Sequence, residues 1–196
     1  WSSESISGSN GDLVMDSKVY KDGLKVFRGV RTIPGTIDLL SDIVWNASEA
    51  EAISVDKYVK KFKTVKTFKD DPDTRVDYAF LSFPWPIWSR EAMYAIFRRK
   101  LSDNKMAIWA GSVDDVKIPP QKKTVRMVDI LGAVFFEQIA PNKCQVTRVI
   151  FGNPAGSLPT VVTNNMGAYQ VAGLLNWVDE KAKKTLNSKK NVRSRL

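Results

Sequence analysis

The chain has 196 residues, 43% of them hydrophobic and 26% charged, a composition typical of one globular domain with a sizeable core. It contains no histidine and a single cysteine, which excludes Ser-His-Asp and Cys-His catalysis, His-containing metal sites and internal disulfides. We expect no cofactor and no metal. Residues 181–196 hold seven basic residues and no acidic one, on a body that is nearly neutral. They indicate either a solvated tail or a segment attracted to anionic lipid headgroups, and only weakly nucleic acid.

The first third of the chain predicts an arm, a hairpin and a helix. Residues 1–12 are rich in Ser, Gly and Asn, which favours a flexible arm. The Asp22-Gly23 pair predicts a tight hairpin turn. Thr36 is a candidate helix N-cap, and the apolar spacing after it predicts a helix that continues toward Ala52. Strand patterns flank these elements at 14–20, 24–33 and 56–68.

The rest of the chain predicts an antiparallel meander followed by one long helix. Short connections with Pro, Gly, Asp and Asn separate strand patterns at 75–83, 91–101, 106–113, 124–139 and 144–151. A helix is predicted from 160 to about 184, with an apolar stripe of Val162, Met166, Tyr169, Gly173 and Trp177. This order predicts the α+β class, with an apolar cavity between sheet and helix. Lysines on both faces of 56–68 predict a solvated edge strand.

Four stretches, in order and spacing, resemble the START (StAR-related lipid-transfer) family. The resemblance implies a helix-grip fold, in which a curved antiparallel sheet wraps around the long C-terminal helix and encloses a hydrophobic tunnel. It implies a lipid-binding domain at 13–186, followed by a basic tail at 187–196. The four stretches are Pro84-Trp85-Pro86-Ile87-Trp88-Ser89-Arg90-Glu91, Ile108-Trp109-Ala110-Gly111-Ser112-Val113, Val125-Arg126 with Gly132, and Thr147-Arg148-Val149 through Asn153-Pro154-Ala155-Gly156-Ser157-Leu158-Pro159.

The resemblance also implies the residues of the site. Several sterol and phosphatidylcholine relatives carry a buried Arg at the position of Ile96, and that Arg is absent here. Membrane contact is expected at Trp85, Ile87 and Leu158. Contact with the lipid is expected at Arg148, Asp56, Tyr94, Ile96, Ala110, Val146, Ile150, Met166 and Tyr169.

Arg148 is the most informative departure, because it stands where ceramide-binding relatives have a cavity-facing Tyr. A buried Arg must be paired. Three alternatives follow: an ion pair with Asp56, a bidentate contact with a lipid phosphate, or exposure on the outer face. We further expect Arg90 and Glu91 to form an ion pair, and Cys144 to be a buried apolar residue. Trp88 is left open between core and surface.

These observations predict non-enzymatic binding and intermembrane transfer of a phospholipid, sterol or ceramide-like lipid. Two alternatives remain: a lipid-sensing regulatory domain of a larger protein, or a helix-grip enzyme using Asp56, Tyr94 and Arg148. The lack of histidine disfavours the enzyme. Because the chain starts at Trp1, we expect a fragment of a longer protein. We expect a cytoplasmic monomer, peripheral at membranes, with no nucleic-acid partner.

Overall fold

A computed structural model describes residues 1–3, 12–113, 118–156 and 158–193. Within them, three helices form: α1 (Ile37–Trp45), α2 (Glu49–Val55) and α3 (Thr160–Arg193). The strands are β1 (Ser2–Ser3), β2 (Leu13–Lys21), β3 (Leu24–Pro34), β4 (Val59–Phe68), β5 (Asp71–Leu81), β6 (Ser89–Ser102), β7 (Lys105–Ser112), β8 (Thr124–Arg126), β9 (Val128–Ala140) and β10 (Lys143–Asn153).

The strands form one large sheet in the order β1-β2-β3-β10-β9-β7-β6-β5-β4, with every neighbouring pair antiparallel. The short strand β8 lies off this path and pairs in parallel with β6. Helix α3 packs across the sheet against β3 and β10. The predicted α+β helix-grip fold is therefore confirmed. The lysine-rich β4 lies at the edge, as its pattern predicts.

The hairpin between β2 and β3 forms at the predicted turn. Asp22 and Gly23 have φ of 51° and 76°, the pair of positive angles that a type I′ turn requires. Asn164 of α3 holds this turn to the helix, because its side-chain amide donates to the Gly23 carbonyl at 3.1 Å. Its amide oxygen accepts from the backbone N–H of Lys25 at 3.0 Å.

Helix α3 is fixed to the sheet by close packing along its middle and by a buried ion pair. A Cβ at Gly29 of β3 would lie 2.4 Å from the Val171 side chain, so the missing side chain lets helix and sheet approach. Arg31 and Asp179 are both buried and pair at 2.9 Å. The buried apolar residues of the helix are Met166, Val171, Ala172, Leu175, Val178 and Ala182.

The helix predicted from Thr36 toward Ala52 is two helices. Thr36 caps α1 as predicted, because its hydroxyl accepts from the backbone N–H of Leu39. Ser48 then starts a second helix: its hydroxyl accepts from the Glu51 N–H, and the Glu51 carboxylate accepts from the Ser48 N–H. This capping box is a Ser-x-x-Glu signal that the apolar periodicity concealed.

The predicted strand 124–139 is also divided, into β8 and β9, and the reason lies at Glu91. The Glu91 side chain is fully buried and accepts from Arg126, while its backbone carbonyl accepts from the Met127 N–H. The predicted ion pair between Arg90 and Glu91 is wrong. Arg90 donates instead to the carbonyls of Pro154, at 2.9 Å, and Ala155.

Several predicted boundaries shift. The last helix runs through Arg193, so part of the expected tail at 187–196 is helical; no Pro or Gly follows Gly173 to end it. Strand β5 begins at Asp71, four residues before the predicted strand 75–83. Strand β4 begins three residues later than predicted, because the Asp56 carboxylate accepts from the Tyr58 N–H and holds a turn there. Of the expected arm 1–12, residues 4–11 lie outside the described residues.

Candidate functional site

A cavity of about 290 Å³ lies between the inner face of the sheet, α2 and the N-terminal half of α3. This volume lies at the lower end of the range of about 300–1,000 Å³ in which small-molecule sites fall. Side chains alternate between the two faces of a strand, so every second residue of β6 points into the cavity: Ala92, Tyr94 and Ile96. Most of its walls are apolar side chains, including Phe27, Phe62, Leu81, Ile108, Val134 and Leu174.

Seven of the nine residues expected to contact the lipid line this cavity: Arg148, Asp56, Tyr94, Ile96, Ala110, Ile150 and Met166. The other two do not line it. Val146 is fully buried in the core next to the cavity, one inward position along β10 from Arg148. Tyr169 is 54% exposed, and its ring faces the ammonium group of Lys57 at 5.3 Å.

Tyr169 is the exposed member of the predicted stripe, whereas Met166 and Trp177 of the same stripe line the cavity. The residues that face the cavity recur at helical spacing and include polar members, so hydrophobicity alone does not delimit the face. They are Thr163, Met166, Gly167, Gln170, Leu174 and Trp177.

Arg148 lines the cavity as a charge without an ion-pair partner in the described part of the chain. Its guanidinium lies over Gly132 of β9, where a Cβ would be only 3.2 Å from the nearer terminal nitrogen, so the glycine provides the space. The Nε atom is buried and has no hydrogen-bond partner, and no described residue forms an ion pair with Arg148. Burial lowers the pKa of Arg148 to about 10, so the side chain remains charged at neutral pH.

Asp56, the expected partner of Arg148, is engaged elsewhere. One carboxylate oxygen accepts from the Gln170 amide of α3 at 2.6 Å, and the other accepts from the Tyr58 N–H at 2.9 Å. The predicted alternative of an ion pair between Asp56 and Arg148 is therefore wrong. Asp56 instead joins the end of α2 to α3 at the cavity wall.

A second arginine lines the cavity and was missed by the sequence analysis. Arg75 pairs with the fully buried Asp77 at 3.0 Å and donates to the Trp45 carbonyl. The other oxygen of Asp77 accepts from the Thr64 hydroxyl at 2.7 Å. Burial, and next the charge of Asp77, raise the pKa of the Tyr94 phenol above its ordinary range, so Tyr94 offers a neutral hydroxyl.

Thr163 was also missed. Its hydroxyl oxygen is buried without a hydrogen-bond partner and lies on the cavity side of α3. The described residues contain two such unpartnered buried side-chain atoms, the Nε of Arg148 and this oxygen, and both belong to cavity-lining residues. A threonine within an apolar helix pattern has no sequence signal for this role.

The residues expected at the membrane lie around the loop between β5 and β6. Trp85 is 92% exposed, and Trp88, left open between core and surface, is also exposed. Ile87 and Leu158 are half-buried and both line a groove that reaches Val162 at the start of α3. Trp85 is therefore the most exposed of the three.

Two further properties of the described residues bear on function. No group of three or more Cys, Asp or Glu side chains in them is arranged to hold a metal ion. None of their helices is both long and apolar enough to cross a membrane. Cys144 is buried, and burial raises the pKa of its thiol to about 11.

Known proteins share this sequence and architecture. An uncharacterized protein of Pseudomonas aeruginosa is 23% identical over 161 residues, which cover 80% of this chain and 74% of that protein. The crystal structure of a STAR-related lipid transfer protein fragment from Xanthomonas axonopodis has a TM-score of 0.77 at 20% identity, covering 93% of this chain and 98% of that one. Human StAR-related lipid transfer protein 5 has a TM-score of 0.74 at 16% identity, covering 92% of this chain and 86% of that one. The START domain family matches residues 1–185, and the chain therefore belongs to that family.

Proposed function

We propose that this START domain binds one lipid molecule in the cavity beneath α3 and carries it between membranes without chemical change. The observation that supports this most is the apolar cavity enclosed by the sheet, α2 and α3. Removing a methylene group from water contributes about 0.8 kcal/mol, so ten methylenes contribute about 8 kcal/mol. Such a cavity binds an acyl chain mainly by excluding water.

The packing of α3 suggests where the lipid enters. The ion pairs of α3 with other elements lie in its C-terminal half, at Asp179 and Lys181, in the part of the helix the structure describes. Its N-terminal half forms the cavity roof and is held by the hydrogen bonds of Asn164 and Gln170. The N-terminal half therefore separates from the sheet at lower cost, next to the loop that carries Trp85.

Exposed Trp85 suits contact with a bilayer, because an indole ring prefers the headgroup level of a membrane. We expect Trp85→Ala to slow lipid transfer between vesicles several-fold while equilibrium binding of the lipid is retained. Trp1→Ala is the matched control: Trp1 is also exposed but precedes β1, the opposite edge of the sheet from β4. Transfer that is unchanged in Trp85→Ala would refute the role of this loop.

Mass spectrometry of lipids that co-purify with the protein tests the binding itself, and vesicle transfer tests the carrier role. Binding with negligible transfer would identify a lipid-sensing domain instead. An enzyme would need an acid and a base in the cavity. The carboxylate of Asp56 is occupied by Gln170, and Tyr94 is neutral, which disfavours that alternative.

A further inference from the structure

We propose that the ligand carries an anionic group, a carboxylate or a phosphate, and that the Arg148 guanidinium binds this group inside the cavity. The inference depends on the proposed function, since it specifies the lipid that the cavity accepts. It starts from a partly buried arginine with an unpartnered Nε and no ion pair in the described residues, next to a space large enough for a ligand.

The other arginines in buried surroundings have the partners that Arg148 lacks. Arg90 donates to backbone carbonyls, and three others pair with carboxylates. Arg31 pairs with Asp179 at 2.9 Å, and Arg126 pairs with the buried Glu91 at 3.1 Å. Arg75 shares the cavity with Arg148 but is paired with Asp77. Burial without a counter-charge is costly for an ionised side chain. An anionic group of the ligand would supply the counter-charge that Arg148 lacks.

The surroundings of Arg148 suit a planar, bidentate contact. Gly132 leaves room for the guanidinium, because a Cβ there would lie 3.2 Å and 3.3 Å from its two terminal nitrogens. Arg148 lines the cavity, and a planar guanidinium offers pairs of N–H donors in the geometry that matches carboxylate and phosphate oxygens. The Thr163 hydroxyl, on the α3 side of the cavity, is a further polar group without a protein partner.

The acidic groups near the cavity do not fill this role. Asp56 accepts two hydrogen bonds, from Gln170 and Tyr58, and Asp77 is paired with Arg75. The carboxylate that lines the cavity and the one beside it are therefore both already bound by protein donors.

The experiment compares matched lipids that differ in headgroup charge. Delipidated protein at pH 8 is titrated with oleate against oleyl alcohol, and with phosphatidate against diacylglycerol of the same chains. Binding is followed by tryptophan fluorescence, because Trp45, Trp109 and Trp177 line the cavity. We expect the anionic member of at least one pair to bind about 10- to 100-fold more tightly. Preference in the oleate pair identifies a carboxylate ligand, and preference in the phosphatidate pair a phosphate.

Arg148→Met should abolish that preference and leave binding of the uncharged lipid within about 3-fold, since the apolar walls are intact. Arg148→Lys should retain part of the preference for the anionic lipid. The surface variant Arg28→Met should show the same preference as wild type. Equal binding of charged and uncharged lipids by the wild type, or preference that survives in Arg148→Met, would overturn the inference while leaving lipid binding established. If none of the four lipids binds, the proposed function itself fails.

Discussion

Replacing Arg148 by Met in the lipid-free protein is expected to raise its free energy of unfolding. In the folded chain this guanidinium is charged, its Nε is buried, and no described residue forms an ion pair with it. Met has a similar length, contains no charge, and adapts to irregular apolar space. The substitution therefore removes a desolvation cost and retains most of the packing against Gly132.

The expected gain in the free energy of unfolding follows from the lowered pKa of Arg148. A fall from the ordinary value of 12.5 to about 10 corresponds to about 3 kcal/mol, because one pKa unit equals about 1.36 kcal/mol. The folded pKa lies below the unfolded one, so this penalty is fully present below about pH 10 and disappears only as the pH rises toward 12.5. For a domain of this size, 3 kcal/mol raises Tm by roughly 6–12 °C.

Thermal and urea unfolding of delipidated wild type and Arg148→Met, followed by circular dichroism, measures this difference. The gain should be the same at pH 6 and pH 8, since both lie far below the pKa of Arg148. Arg28→Met is the control, because Arg28 forms a surface ion pair with Asp16 whose loss changes stability by no more than about 1 kcal/mol. A variant less stable than wild type would show that Arg148 has a protein partner in solution, and the reasoning would fail.

Three further outcomes are expected. Asp179→Asn should lower the free energy of unfolding by about 3–5 kcal/mol in urea titrations, because it leaves the buried Arg31 uncompensated; a loss under 1 kcal/mol would contradict this. Cys144 should resist alkylation in the native protein at pH 8 and react after denaturation, because its buried thiol has a pKa raised to about 11; rapid native labelling would contradict it. The hydrogen bond from Lys181 lowers the pKa of Glu51 to about 2, so that pair stabilises the fold above about pH 4.5 and stops doing so as the pH falls toward 2. Lys181→Met should therefore cost about 0.5–1 kcal/mol at pH 7 and nothing near pH 2, as measured by unfolding at both pH values.

Local chemistry determined a large part of this protein before any tertiary contact formed. Asp22-Gly23 specifies a turn through its positive φ angles, and Thr36 caps a helix through its own hydroxyl. Strand alternation placed Tyr94 and Ile96 on one face, and the lysines of β4 indicated an exposed edge. These properties depend on residues close together in the chain, so the sequence alone contains them.

The tertiary structure decided which polar groups find partners. Asp56 could have paired with Arg148, but Gln170, 114 residues away, occupies its carboxylate. Arg75 satisfies Asp77 across two residues of one strand, and nothing in their spacing shows that both are buried beside the cavity. The cost of a buried charge depends on every neighbour at once, and the neighbours of Arg148 include Gly132 of β9 and Tyr94 of β6. The unpaired state of Arg148, on which the nature of the ligand depends, is therefore visible only in the folded chain.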